Sequence, residues 1–155
     1  MPNKIFYMDV FNKQTVRSLI YLQFVSLGLI IFSGPVIAEN QVLLIIELAG
    51  ILLGLWAIYA MKFENLRISP LPRANFILRK SGPYKIIRHP MYLAIILITI
   101  PLVINKFSIF RLVIEILLLF ALFIKIYLEE KILTSRVNGY SAYKNQTYRL
   151  IPFIY

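Results

Sequence analysis

An all-α fold, a multi-pass transmembrane helical bundle of about four spans, is the architecture this sequence predicts, and three observations carry the prediction. Of 155 residues, 59% are hydrophobic and only 15% are charged, well outside the composition of an average soluble domain. A chain this short cannot hide so apolar a core from water, because small domains keep much of their surface exposed, whereas insertion in a bilayer removes the difficulty. The basic residues, finally, gather in alternate connecting segments, as they do around membrane spans.

Met1 to Gln14 is polar and aromatic, and no small-residue cleavage pattern follows the first apolar run, so that run is expected to stay in the protein. Val16 to Ala38 is apolar except for Arg17, Gln23, three serines and two glycines, long enough to cross about 30 Å of hydrocarbon as a helix. After the polar turn Glu39-Asn40-Gln41, Val42 to Met61 forms a second span with one internal charge, Glu47, and Trp56 and Tyr59 near its end.

Lys62 to Arg88 holds seven basic residues against Glu64, with Pro70, Pro72 and Pro83, and is expected to be an interfacial loop. Met91 to Ile104 is apolar and short, reaching roughly 21 Å, with Pro101 near its end. Ser108 to Leu128 is a full-length run, and the last two spans are expected to form a tight hairpin. Beyond it Lys131 to Val137 reads as an amphipathic helical continuation stopped by Asn138-Gly139, leaving a C-terminal helical segment folded over the loop at the membrane surface.

Charge sets the orientation. Lys4, Lys13 and Arg17 precede the first span, seven basic residues fill the central loop and five follow from Lys125, against only Lys106 and Arg111 on the opposite side. Both termini are therefore expected in the cytoplasm. The chain reads as one membrane-embedded domain, with a two-helix part over residues 1–62 and a second part over 63–155, and no internal repeat relates the two.

The same features exclude several functions. With no cysteine and a single histidine, His89, neither a disulfide framework nor a thiolate or multi-histidine metal site is available, so no metal is expected. The net charge of +10 is assigned to topology and to contact with anionic membrane lipids, not to nucleic acid, for which no motif is present. Of the acids inside spans, Glu115 lies four residues after Arg111 and is expected to neutralise it, while Glu47 could approach Lys106.

Two clusters carry the chemistry. Gly82-Pro83-Tyr84 and Arg88-His89-Pro90-Met91-Tyr92 put a polar group at the start of the third span, with proline where the first helical N–H has no intrahelical partner. Free N–H groups, the positive dipole end, Arg88 and His89 together suit a carboxylate or phosphate, although ordinary membrane-surface anchoring explains the same residues as well. Glu129 and Glu130 stand at the cytoplasmic end of the fourth span, where cations would be favoured. They either pair with basic residues of the central loop or receive the amino and hydroxyl groups of a ligand. The tail then supplies Tyr140, Tyr143, Tyr148 and Arg149, whose tyrosines also suit an interfacial belt.

In this order and at these separations the clusters, with Gly139-Tyr140, Tyr143 and Arg149-Leu150-Ile151-Pro152, resemble the isoprenylcysteine carboxyl methyltransferase family and its phospholipid methyltransferase relatives over about the last half of the chain. The resemblance implies an S-adenosylmethionine pocket at the cytoplasmic helix ends, formed within residues 63–155, and a lipophilic methyl acceptor entering from the bilayer. It implies Arg88 and His89 on the cofactor carboxylate, Tyr84 and Tyr92 lining the pocket, and Glu129 and Glu130 accepting amino or ribose groups. Arg149, with Tyr143 behind it, would act catalytically by facing the acceptor. Methyl transfer from a sulfonium needs positioning and desolvation more than a metal.

This sequence departs from the family pattern at Ala94, where glycine is usual, at Thr147-Tyr148, where Val-Pro is common, and in having four spans. So short a chain resembles a prokaryotic inner-membrane member, and the acceptor is not carried over. Two other readings stay open. One is a membrane reductase of the sterol-reductase type, marked by NADPH binding; the other is a non-enzymatic lipid- or partner-binding protein, in which Glu129 and Glu130 serve only as ion-pair struts.

Overall fold

The computed structural model describes residues 13–61 and 78–152. The tail containing Lys4 and most of the expected interfacial loop, with Pro70 and Pro72, lie outside the described residues. The described residues form five α-helices and one short 3-10 helix: α1 Lys13–Phe32, α2 Gln41–Met61, the 3-10 helix Gly82–Lys85, α3 Pro90–Asn105, α4 Ile109–Arg136 and α5 Tyr140–Asn145. The all-α expectation is met, and the one β feature among these residues is an isolated parallel bridge between Ile87 and Tyr148.

Helices α1 and α2 are long and apolar enough to cross a membrane, and α3 is a shorter apolar helix of 16 residues. Their outward surfaces are apolar: Leu52 is 67% and Tyr59 85% exposed, which suits lipid rather than water. The first helix ends at Phe32, six residues short of the expected Ala38. Pro35 explains the early stop, since proline has no N–H to donate and bars the helical conformation in the residue before it. The chain then turns through Asn40, whose side-chain oxygen accepts from the N–H groups of Val42 and Leu43 at 2.9 and 3.3 Å and so caps α2.

Ser108 caps α4 in the same way, accepting from the Arg111 N–H at 3.2 Å. This helix runs unbroken for 28 residues, through Glu129 and Glu130 to Arg136, so the expected amphipathic continuation is its own last turns. At about 1.5 Å per residue it is roughly 42 Å long, more than the thickness of an apolar bilayer core of about 30 Å. Gly139, with φ of 81°, supplies the stop that Asn138-Gly139 suggested.

Although α3 and α4 are joined by a short turn, each packs chiefly on another partner, α3 against α2 and α4 against α1. The close approach of α2 to α3 rests on Gly50, where an added methyl would come within 2.8 Å of Leu97 and 3.0 Å of the Ala94 carbonyl. One apolar core joins α1, α3 and α4 through Ile30, Leu102, Val103, Ile114, Leu118 and Leu122. A smaller cluster of Leu133, Tyr140 and Tyr143 attaches α5 to the end of α4.

The charges inside the bundle pair differently from expectation. Arg111 does not neutralise Glu115: its Nη2 donates to the Leu102 carbonyl at 2.7 Å and its Nη1 to Ser33 Oγ at 3.3 Å, while Glu115 accepts from Thr99 Oγ1 at 3.0 Å. The Leu102 carbonyl receives only a long 3.4 Å hydrogen bond from the Lys106 N–H at the negative end of α3, and it draws the guanidinium away from its neighbour on α4. Glu47, rather than approaching Lys106, accepts from the Ala38 N–H at 2.9 Å.

The 3-10 helix sits on the end of α2 through Gly82, which has φ of 58° and leaves no room for a side chain: an added methyl would meet Ala60 at 2.8 Å and Trp56 Nε1 at 3.1 Å. Gly82→Ala is therefore expected to destabilise the protein by about 1–3 kcal/mol, from backbone strain and overpacking together. A thermal unfolding scan in detergent would show a lower midpoint; an unchanged midpoint would mean that the turn does not hold this position.

Candidate functional site

Pro83 and Pro90 frame the site. The first opens the 3-10 helix and the second starts α3, leaving Ile87 to His89 outside either helix and able to pair with the tail. Arg88 N–H donates to the Tyr148 carbonyl at 2.8 Å, Tyr148 N–H to the Ile86 carbonyl at 2.9 Å, and His89 N–H to the Arg149 carbonyl at 3.2 Å. This pairing fixes the C-terminal segment beside the start of α3, across from the last turns of α4.

Glu130 is the electrostatic centre. Its Oε1 accepts from Arg88 Nε at 2.7 Å and lies 3.4 Å from His89 Nε2, while its Oε2 accepts from Arg149 Nη2 at 2.9 Å and lies 3.7 Å from Lys144 Nζ. Burial acts to raise its pKa, but hydrogen bonds from His89, Arg149 and Arg88, with the charge of Arg88, outweigh burial and hold the carboxyl far below its ordinary range. The structural explanation for an acid at this helix end therefore holds for Glu130. Its cations come from the segment before α3, from α5 and from the tail.

Arg88 works as a brace. Besides Glu130, its guanidinium donates to the carbonyls of Lys144, in the last turn of α5, and Thr147, just past its end. The expected anion nest at the start of α3 is also largely occupied. Pro90 has no N–H, and the N–H groups of Tyr92 and Leu93 both donate to the His89 carbonyl, at 3.2 and 3.1 Å.

Glu129 is different. Its side chain is 28% exposed, one oxygen accepts from the Tyr92 hydroxyl at 3.1 Å, and the His89 ring lies beside it, Nδ1 at 3.8 Å. The His89 and Tyr92 rings stack with centroids 5.6 Å apart and planes 20° from parallel. This carboxylate with a reachable face, bordered by a phenol and an imidazole, can receive hydroxyl or ammonium donors.

Two tyrosines hold the site from behind. Tyr143 is buried and its hydroxyl donates to the Tyr84 carbonyl at 2.7 Å, so that group joins α5 to the 3-10 helix and is already used. Burial pushes the Tyr143 phenol up to about 12 against the opposing charge of Arg88, and burial with the negative Glu129 pushes Tyr84 higher still. Both remain neutral phenols at physiological pH. Arg149, expected to face the acceptor, has a quarter of its side chain exposed and an ion pair to Glu130.

The structure thus brings Tyr84, Arg88, His89, Tyr92, Glu129, Glu130, Tyr143 and Arg149 into one connected region. Sequence reading missed Lys144 and Thr147, because nothing in their spacing marks a carbonyl that a distant arginine will cap. It also counted Lys125 among the cytoplasmic tail charges, whereas the residue is 1% exposed within the bundle; a lone lysine in an apolar run was the available signal. Among the described residues no three His, Cys, Asp or Glu side chains are arranged to hold a metal ion.

A family model for the isoprenylcysteine carboxyl methyltransferase (ICMT) family matches residues 42–135, more than half of the chain and all of the site except the tail. No curated protein and no solved structure matches the chain.

Proposed function

Because the chain belongs to the isoprenylcysteine carboxyl methyltransferase family, whose members are membrane methyltransferases, we propose that it uses S-adenosylmethionine to methylate a lipophilic acceptor at the cytoplasmic membrane face. The observation that carries this reading is Glu129, a partly open carboxylate held by Tyr92 next to His89 within the region that the family match covers.

The polar groups present fit such a cofactor. Glu129 would accept its amino or ribose donors, with Tyr92 and His89 lining the same side, and the partly exposed Arg149 and Lys144 offer cationic charge to its carboxylate. When bound, S-adenosylmethionine supplies an electrophilic methyl group on a sulfonium. The protein's part is to fix that methyl and the acceptor in line and to exclude water, which apolar helix walls do without a proton relay.

In this assignment Arg88, Glu130 and Tyr143 brace the pocket and do not touch ligand, since their polar groups are already paired within the protein. Arg149 remains the residue nearest the role of meeting an anionic acceptor, by exchanging part of its pairing with Glu130.

The same reading places the whole chain, residues 1–62 and 63–155 together, as one membrane-embedded domain with four crossings and both termini in the cytoplasm. The basic residues around Arg88 and in the tail support that orientation. The lipid-facing apolar surface would let the acceptor approach from the bilayer.

Incubating the purified protein with methyl-labelled S-adenosylmethionine and either a total bacterial lipid extract or a prenylated cysteine acceptor tests the activity. Label is expected in the organic phase, and its absence with both bacterial and prenylated acceptors would reject the reading.

A further inference from the structure

A lysine in the apolar interior of a membrane bundle is costly, and a methionine or leucine at the same position would pack without desolvating a charge. Lys125 is nonetheless 1% exposed on α4, one helical turn before Glu129. Its ammonium donates to Gln23 Oε1, from a side chain on α1 that is itself 6% exposed. The same ammonium lies 5.3 Å from the centre of the Tyr92 ring, within reach of a cation–π attraction. Tyr92 in turn donates its hydroxyl to Glu129 at 3.1 Å and stacks on His89.

These contacts form one chain from the first helix to the rim of the candidate site: Gln23 holds Lys125, Lys125 holds the Tyr92 ring, and Tyr92 holds Glu129. We propose that Lys125, anchored by Gln23, is a positioning residue for the Tyr92–Glu129 pair, so that the N-terminal helix helps to build the methyl-donor site. The inference rests on the reading that Glu129 belongs to that site. It explains why two polar residues, Gln23 and Lys125, face each other where α1 packs on α4, in a region otherwise closed by Leu19, Ala121 and Leu128. Tyr92 has one ring and one hydroxyl; fixing both leaves the carboxylate a narrow range of orientations.

The test uses the full chain in lipid nanodiscs, with 3-fluorotyrosine incorporated and the Tyr92 resonance assigned by its loss in Tyr92→Phe. S-adenosylhomocysteine affinity is measured by calorimetry for wild type, Lys125→Met, Lys125→Arg, Gln23→Leu, Tyr92→Phe and the Lys125→Met/Tyr92→Phe and Lys125→Met/Gln23→Leu double variants, alongside thermal midpoints.

Lys125→Met and Tyr92→Phe are each expected to weaken binding about tenfold without lowering the midpoint, and the double variant to be no weaker than either alone, because both act on one carboxylate. Lys125→Arg should recover part of the loss. Gln23→Leu should shift the Tyr92 fluorine signal in the wild-type background and leave it unmoved when Lys125 is already methionine.

Wild-type affinity in Lys125→Met, losses that multiply in the double variant, or a Tyr92 signal indifferent to Gln23→Leu would each overturn the proposal. If wild type binds no S-adenosylhomocysteine while the fluorine coupling holds, the methyl-donor reading fails and the positioning chain stands.

Discussion

Replacing Glu130 by alanine will lower the unfolding midpoint of the protein by roughly 10 °C, the largest stability effect expected from any single site residue. The carboxylate is buried and shared by Arg88, Arg149, His89 and Lys144, and its removal leaves a desolvated guanidinium with no counter-charge. Breaking a buried pair from one side costs about 3–5 kcal/mol, and at this chain length each kcal/mol moves the midpoint by about 2–4 °C. Thermal unfolding in detergent, followed by tryptophan emission, reads it directly. Glu130→Gln, which keeps an acceptor but loses the charge, should fall between wild type and alanine.

The acid dependence follows with its sign. The folded-state pKa of Glu130 lies well below its ordinary value of 4.5, so the stability this group contributes is fully present above pH 4.5. It is lost progressively as pH falls below 4.5 toward the folded-state value. An acid titration should show wild type losing midpoint over that window and Glu130→Gln lacking this component. Equal acid sensitivity of the two would show that Glu130 is not the ionised centre of the cluster.

Glu129→Ala is expected to do the opposite, leaving the stability within about 1 kcal/mol of wild type while weakening S-adenosylhomocysteine binding by about 10- to 100-fold. Its side chain is partly exposed and accepts one hydrogen bond, from Tyr92, in a position that water can reach, so little stability depends on it. A charged hydrogen bond to a ligand contributes about 1.5–3 kcal/mol, which is the affinity range given. Calorimetry on the two glutamate variants side by side separates the roles: one variant loses stability, its neighbour loses ligand. Undiminished binding in Glu129→Ala would move the donor site elsewhere.

Much of the helical architecture could be read from the sequence because it depends on local features. Apolar run length located α2, Pro90 located the start of α3 and Asn138-Gly139 located the end of α4. Pro35 carried the signal that ends α1 early, but the apolar residues that continue past it to Ala38 masked it. The pairing of charges was not legible, because it depends on which helix ends meet in space. Arg111 passes over the carboxylate four residues along its own helix to reach the Leu102 carbonyl. Arg88 caps α5 more than fifty residues away.

The same limit applied to the two adjacent glutamates. Sequence treated Glu129 and Glu130 alike, since nothing local tells them apart. On one helix neighbouring residues point about 100° apart, so Glu130 faces the cations of the tail and Glu129 faces Tyr92. The candidate site emerged as a set of residues from the sequence, and the division of labour within it only from the fold.

Calorimetric titration of the full chain in nanodiscs with S-adenosylhomocysteine is the most direct test of the central claim. Saturable binding of one ligand per chain is the predicted result, and a titration without saturable heat, in protein that unfolds cooperatively, would contradict it.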